Sequence, residues 1–303
     1  MKRIVLDVDT GFDDGVALLL AAASPQLELC GATVCHGNAP LSVTLPNTRR
    51  VLHAGGFPQV PVLAGIDRPL AREPIVGEGI QTWRMEYDGP SEASEPTHAV
   101  AWLIDWLRRV QEPVTLVPVA PLTNIARLLT EAPDVCGRIE RLVIMGGALQ
   151  GGNTNAVAEF NIYADPEAAR VVFQAGVPIT MVGLDATRQA PAGDAEVARI
   201  RAVGTRAAGL AADLIDEALR RARQRGRDGV QIYDACAVAA VIDPSILTTV
   251  PMYVDVETRG ELTLGQTVCD VRNRLGHAPN VDVAVGIDRE RFLDLVIAAF
   301  SGL

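Results

Sequence analysis

Four carboxylates fall within eight residues near the start of the chain: Asp7, Asp9, Asp13 and Asp14, in the run Leu6-Asp7-Val8-Asp9-Thr10-Gly11-Phe12-Asp13-Asp14. Like charges packed this tightly cost free energy unless a cation or a proton offsets them. The partial positive charge of a helix N-terminus is too small to offset four. A divalent metal is the natural remedy. Every ligand on offer is a hard oxygen and no His or Cys stands nearby, so Ca²⁺ or Mg²⁺ is favoured over Zn²⁺. Two more polar clusters lie far along the chain. Gly151-Gly152-Asn153-Thr154-Asn155 is followed by Ala158-Glu159-Phe160-Asn161. Asn153, Glu159 and Asn161 are groups of the kind that grip the hydroxyls of a sugar, although an Asn/Gly-rich loop also arises from turn chemistry alone. Asp234, in Gln231-Ile232-Tyr233-Asp234-Ala235-Cys236, stands where an apolar helix begins and by itself reads as an N-cap.

These clusters need a scaffold that brings them together. Short Val/Ile/Leu-rich runs at 4–6, 27–34, 114–119, 142–145, 179–183 and 252–256 read as strands. Ala/Leu-rich periodic segments at 14–23, 122–130, 166–175, 195–225 (one or two pieces), 235–242 and 289–299 read as helices. Asp165-Pro166 is a good helix start, with the acid as N-cap and proline in the first turn. The alternation predicts one α/β domain over residues 1–303, with a largely parallel central sheet flanked by helices. In such sheets ligands sit at the carboxyl ends of strands, where loops turn into helix N-termini. The three clusters fall at or near such crossings, so one crevice can hold them all.

Composition narrows the classes of function. The chain has 303 residues, 49% hydrophobic, enough for a substantial core, and a net charge of −10. Its one dense basic run, Arg220, Arg221, Arg223, Arg225 and Arg227, reads as the solvated end of a helix just before Gly226. No wider basic stripe tracks a phosphate backbone, which argues against nucleic acid. No signal peptide or membrane-length apolar stretch is present. The five cysteines show no Cys-x-x-Cys spacing and read as reduced core residues of a cytoplasmic protein.

Taken together the motifs resemble the inosine-uridine-preferring nucleoside hydrolase family. Asp7, Asp9, Asp13 and Asp14 match its Asp-x-Asp-x-x-x-Asp-Asp signature. Val119-Ala120-Pro121-Leu122-Thr123-Asn124-Ile125-Ala126 looks like its Gly-Pro-Leu-Thr-Asn-Ile-Ala loop, with Ala120 for the glycine. Gly37-Asn38, Met145-Gly146-Gly147, the Glu159–Glu167 run, Asp234-Ala235, Gly260-Glu261-Leu262-Thr263 and Pro279-Asn280-Val281-Asp282 extend the likeness over almost the whole chain. The resemblance implies a Rossmann-like nucleoside hydrolase fold and hydrolysis of the N-glycosidic bond of a ribonucleoside. It implies Ca²⁺ held by Asp9, Asp14, Asp234 and the main-chain carbonyl of Val119, with water and the ribose diol completing the shell. Asp9 would be the general base for the metal-bound water. Asp13, Asn38, Asn161 and Asp234 would hold the 2′ and 3′ hydroxyls, Asn153 and Glu159 would reach the 5′ hydroxyl, Met145 would lie along the sugar and Asp7 would support. Breaking a C1′–N bond builds positive charge on the ribose ring, which is why the site needs carboxylates and rigid hydroxyl contacts. Relatives are commonly homodimers or homotetramers, so a homo-oligomer is implied too.

The chain departs from that pattern at the base. Many members carry a His immediately before the third metal Asp, where this chain has Tyr233. A phenol of pKa ~10 is a poor proton donor at neutral pH, but it can hydrogen-bond or stack. His36 and His277 are the histidines nearest the expected site, whereas His53 and His98 read as structural. Trp83 is suited either to stacking on a base or to packing as a lid. Base preference (purine, pyrimidine or modified) stays open. Two other readings compete. A haloacid-dehalogenase-type phosphatase also follows its first strand with Asp-x-Asp, but Gly11 occupies the position where it needs Thr or Val, and it gives Glu159, Asn161 and Asp234 no role. A noncatalytic ribose- or nucleoside-binding protein of the same fold has no use for Asp9 beside the metal.

Overall fold

The computed structural model describes residues 1–75, 84–86 and 98–302. Its strands are β1 (Lys2–Val8), β2 (Leu27–Val34), β3 (Val62–Ala64), β4 (Val114–Pro118), β5 (Ile139–Met145), β6 (Ile179–Val182), β7 (Pro191–Ala192), β8 (Val230–Gln231), β9 (Leu247–Met252), β10 (Val254–Val256), β11 (Thr267–Cys269) and β12 (Val281–Ile287). Eight of them form one sheet in the order β3-β2-β1-β4-β5-β6-β12-β9, parallel except where β9 runs against β12. The other four pair as small antiparallel ribbons, β7 with β8 and β10 with β11. The helices are α1 (Phe12–Ala23), α2 (Leu41–Gly55), α3 (Ala99–Arg109), α4 (Thr123–Glu131), α5 (Phe160–Ala164), α6 (Pro166–Phe173), α7 (Leu184–Thr187), α8 (Asp194–Arg201), α9 (Arg206–Gln224), α10 (Tyr233–Ile242) and α11 (Arg289–Ser301).

Side-chain alternation along β1 explains the layering. Ile4, Leu6 and Val8 enter the core shared with α1, α9, α10 and α11, while Val5 points the other way, into the core shared with α3, α4 and α6. A strand covered on both faces reads as one apolar run, which is why β1 was visible in the sequence. Helix α1 is apolar nearly all round, and Val16 through Ala21 have no exposed surface. Burying each of its leucines contributes about 1.5–3 kcal/mol.

Sheet order fixes where chemistry can occur. From β1 the chain builds outward through β2 and β3 on one side, and through β4, β5 and β6 on the other. The order reverses between β1 and β4, and that switch point opens a crevice at the carboxyl ends of the two strands. Asp9 lies just beyond β1 and Val119 just beyond β4.

Several expected elements differ in extent. The strand expected over 252–256 is two: β9 ends at Met252, and the side chain of Asn280 then accepts from the Val254 amide (2.8 Å) and donates to its carbonyl (3.0 Å), turning the chain away to pair as β10. The segment 195–225 is two helices, separated at Gly204 (φ 78°), after which Thr205 caps α9. Asp165 caps α6 as expected, accepting from the Ala168 amide at 3.1 Å. Of the five cysteines, all free, only Cys35 and Cys236 are buried, so the core reading fits two of them. Among the described residues, no helix is long and apolar enough to cross a membrane.

Candidate active site

Asp13 and Asp14 occupy the first turn of α1, and Asp14 reaches back to accept from the amides of Gly11 (2.8 Å) and Asp9 (3.0 Å). These bonds satisfy donors that a helix start leaves free and fix the Asp14 carboxylate. Asp9 is wholly buried. Its Oδ2 accepts from the Asn38 amide (2.5 Å), and its Oδ1 has no protein partner. Asn38 also donates its Nδ2 to Asp14 Oδ2 at 3.2 Å, linking the loop after β2 to the one after β1. Gly37 is required there, because a Cβ on it would overlap Asp9 Oδ2. Asp234 enters from the first turn of α10, and oxygens of Asp13, Asp14 and Asp234 lie within 4.8 Å of one another.

Electrostatics make this cluster costly as it stands. Burial, then the neighbouring Asp14, raises Asp13 to about 7. Burial and the surrounding aspartates hold Asp9 and Asp234 well above the usual carboxylate range. A buried acceptor left unpaired costs about 1–3 kcal/mol. Hard carboxylate oxygens crowded together, with one buried oxygen unpartnered, are the donor set and the deficit that a hard divalent cation corrects.

The second cluster forms the opposite wall. Glu159 is the N-cap of α5, and its Oε2 accepts from the amides of Asn161 (2.9 Å), Gly147 (3.1 Å) and Ile162 (3.3 Å). Burial nonetheless raises its carboxyl to about 7. Asn161 donates its Nδ2 to the carbonyls of Val119 (3.0 Å) and Met145 (3.1 Å), tying together the ends of β4 and β5. Asn153 is exposed on the preceding loop, which Asn155 braces by accepting from the amides of Val157 (2.9 Å) and Ala158 (2.7 Å).

Between these walls lies a cavity of about 1250 Å³. Asp13, Asn38, Val119 and Met145 line it, as do Asn153, Glu159, Asn161, Tyr233 and Asp234, so three segments distant in sequence do share one crevice. Asp9 and Asp14 lie beneath that surface, fully buried. Tyr233 donates to Gln231 Oε1 at 3.4 Å. Burial, then Asp13, pushes the Tyr233 phenol up to about 12 against the opposing charges of Arg188 and Arg227.

The histidines stand elsewhere. His36, in the bend that follows β2, is buried and meets Thr123 Oγ1 at 3.1 Å through Nε2, outside the cavity lining. His277 precedes β12, at the end of the sheet opposite the crevice, and packs on Tyr253 at 4.5 Å between ring centroids. Trp83 lies outside the described residues. Burial lowers His36 to about 4, against a small opposing pull from Asp67. Below about pH 6.5 the unfolded chain takes a proton that the folded one refuses, so this contribution to stability is present above 6.5 and lost as pH falls toward 4. Chemical denaturation of wild type and His36→Gln at pH 7 and pH 4 should therefore show the wild type losing about 3 kcal/mol more over that interval. Equal losses would contradict a buried neutral imidazole.

Some residues with clear work here had no role in the sequence reading. Asn124 donates to Asp7 Oδ1 (2.8 Å) and accepts from the Ile66 amide (3.0 Å), while Thr33 donates to the same Asp7 oxygen at 2.5 Å. Asp7 is thus a bracket between β1, β2 and α4, and the Thr123-Asn124 motif was the signal for it. Arg188 donates to the carbonyls of Gln150 (3.3 Å) and Gly152 (2.7 Å), holding the loop that carries Asn153. Arg221, Arg225 and Arg227 also line the cavity, and Arg225 and Arg227 are exposed, as the solvated end of α9 was expected to be.

Comparison with known proteins agrees with this geometry. The family model described as inosine-uridine preferring nucleoside hydrolase matches residues 4–294. The chain is 40% identical over 301 residues to the pyrimidine-specific ribonucleoside hydrolase RihA of Klebsiella pneumoniae (strain 342), covering 97% of this chain and 96% of that one. It is 41% identical over 309 residues to RihA of Enterobacter sp. (strain 638), covering 98% of each. Among solved structures it resembles a purine-preferring ribonucleoside hydrolase from Gardnerella vaginalis, with TM-score 0.88, 32% identity, and 99% and 98% of the two chains covered. With the motifs, the sheet and the crevice all in agreement, the chain belongs to the inosine-uridine preferring nucleoside hydrolase family.

Proposed function

We propose that the protein hydrolyses the N-glycosidic bond of ribonucleosides, releasing ribose and the free base, and that it does so with Ca²⁺. The observation that carries this reading is the unpartnered, wholly buried Oδ1 of Asp9 beside the clustered oxygens of Asp13, Asp14 and Asp234. Asp9, Asp14, Asp234 and the Val119 carbonyl would hold the ion. A bound divalent cation lowers the pKa of a coordinated water and neutralises the surrounding acids. Asp9 accepts the proton of the attacking water. Asp13, Asn38, Asn161 and Asp234 orient the 2′ and 3′ hydroxyls, while Asn153 and Glu159 reach the 5′ hydroxyl and Met145 lies along the ring. The carboxylates stabilise the positive charge that grows on the ribose as the C1′–N bond opens. A pyrimidine ribonucleoside is the favoured substrate, supported by the name of the 40% identical relative.

Release of reducing sugar from uridine, cytidine, inosine and adenosine, with and without chelator, tests the proposal. Ribose release that stops with chelator and returns with Ca²⁺ is expected. Nucleoside binding without ribose release would favour the noncatalytic reading and overturn this one.

A further inference from the structure

The cavity lined by Asp13, Glu159 and Asp234 is lined as well by Arg188, Arg221, Arg225 and Arg227, so one crevice presents both signs of charge. Arg221 is paired with Glu217 at 2.7 Å and lies over the Phe12 ring at 5.0 Å. Arg188 is engaged with main-chain carbonyls. Arg225 and Arg227 make no ion pair among the described residues, although Arg220 and Arg223 on the same stretch are both paired. Local backbone geometry puts them on the wall. Arg225 is the C-cap of α9, Gly226 turns left-handed (φ 75°), and the Arg227 amide bonds back to the Ala222 carbonyl at 3.0 Å. This closing turn folds the chain back toward β8 and Tyr233, which line the same cavity. Unpaired guanidinium groups lining a cavity that also presents carboxyls fit a ligand that becomes positive in one part and negative in another.

A nucleoside whose C1′–N bond is breaking is such a ligand. Among the described residues no histidine lines the cavity, and Asp13, Glu159 and Asp234, which do, are the carboxyls given above to the ion and the ribose. Guanidinium stays protonated and cannot serve as a general acid, but it gives strong, often bidentate hydrogen bonds to carbonyl oxygens carrying negative charge. Resting on the hydrolase reading above, we propose that Arg225 and Arg227, with the Tyr233 hydroxyl, cradle the leaving base, so that it departs as an anion without prior protonation. The C1′–N1 bond breaks with its electron pair going to N1 and spreading onto the ring carbonyls, while a C1′–O bond forms to water. The water proton goes to Asp9, and the released base later takes a proton from solvent. The class served best is a ribonucleoside whose base is a stable anion with carbonyls beside the leaving nitrogen, such as uridine, ahead of adenosine.

The test uses the full chain with Ca²⁺ and compares wild type with Arg225→Gln, Arg227→Gln and the double variant. Substrates are uridine, 5-fluorouridine, whose base is the more stable anion, and p-nitrophenyl β-ribofuranoside, whose leaving group needs little help. With two charge-assisted bonds removed, the double variant should lose roughly 10²-fold or more in kcat/KM on uridine. It should lose less on 5-fluorouridine and least on the p-nitrophenyl riboside. Equal losses on all three substrates, or none on uridine, would overturn the cradle while leaving the hydrolase reading intact. A wild type that cleaves none of the three would overturn both.

Discussion

Asp9→Asn should lower kcat/KM on a ribonucleoside by about 10³-fold or more, without weakening the fold of the metal-free protein. General-base catalysis contributes about 10²–10⁴-fold on its own, and in this account Asp9 also helps to hold the ion. The substitution keeps the shape and keeps an oxygen to accept from the Asn38 amide, so the loop after β2 stays in place. It removes a carboxyl that burial and Asp14 already hold well above the usual range. The thermal midpoint measured in chelator should therefore stay level or rise, while the stabilisation that Ca²⁺ gives the wild type shrinks. Near-wild-type turnover in Asp9→Asn would remove the general base from the mechanism.

The second large effect belongs to Asn161→Ala, through two separable losses. One is the loss of a hydroxyl contact that tightens as the ribose ring flattens, which should appear as a drop of roughly 10²–10³-fold in kcat with a smaller change in KM. The other is structural: the carbonyls of Val119 and Met145 lose a shared donor at the ends of β4 and β5, at a cost of about 1–3 kcal/mol. Kinetics and denaturant midpoints measured on the same samples separate them. A variant that loses stability but keeps kcat would make Asn161 a brace between strands and no more.

The parts of this molecule that could be read from the sequence are those where one face decides the pattern. β1, β2 and β5 lie inside a parallel sheet, and their carboxyl-terminal halves are buried, which in β1 and β5 writes the unbroken apolar runs Ile4–Leu6 and Leu142–Met145. Strand β12 was missed because Asp282 interrupts its apolar run, and its parallel pairing with β6 depends on a partner about a hundred residues away. Helix α2 carries Pro46 and several polar residues, which blur its period. Helix α3 begins where His98, read as structural, caps it.

At the site, the acids were legible because four carboxylates in eight residues have few inexpensive explanations. Their surroundings were not. That Asn124 clasps Asp7, or that Gly37 leaves room for Asp9, follows from contacts across β1, β2 and β4 that no local spacing encodes. His36 shows the opposite error: adjacency to Gly37-Asn38 in sequence suggested a place at the site, yet the chain bends through residues 36–39, and His36 is buried against Thr123 while Asn38 lines the cavity. Arg225 and Arg227 are exposed as read, but nothing in the local sequence showed that the turn at Gly226 would also bring them to the cavity wall.

The account rests on one electrostatic proposition, that the acids after β1 and at the start of α10 share a divalent cation. Calorimetric titration of the chelator-stripped protein with Ca²⁺, repeated in buffers of different ionisation enthalpy, tests it most directly. The prediction is one site per chain whose filling releases protons, because Asp9, Asp13 and Asp234 hold protons more tightly than usual until an ion displaces them. Asp14→Asn and Asp234→Asn should each weaken binding by at least about tenfold. Absence of saturable Ca²⁺ binding, or binding that both variants leave unchanged, would contradict the account.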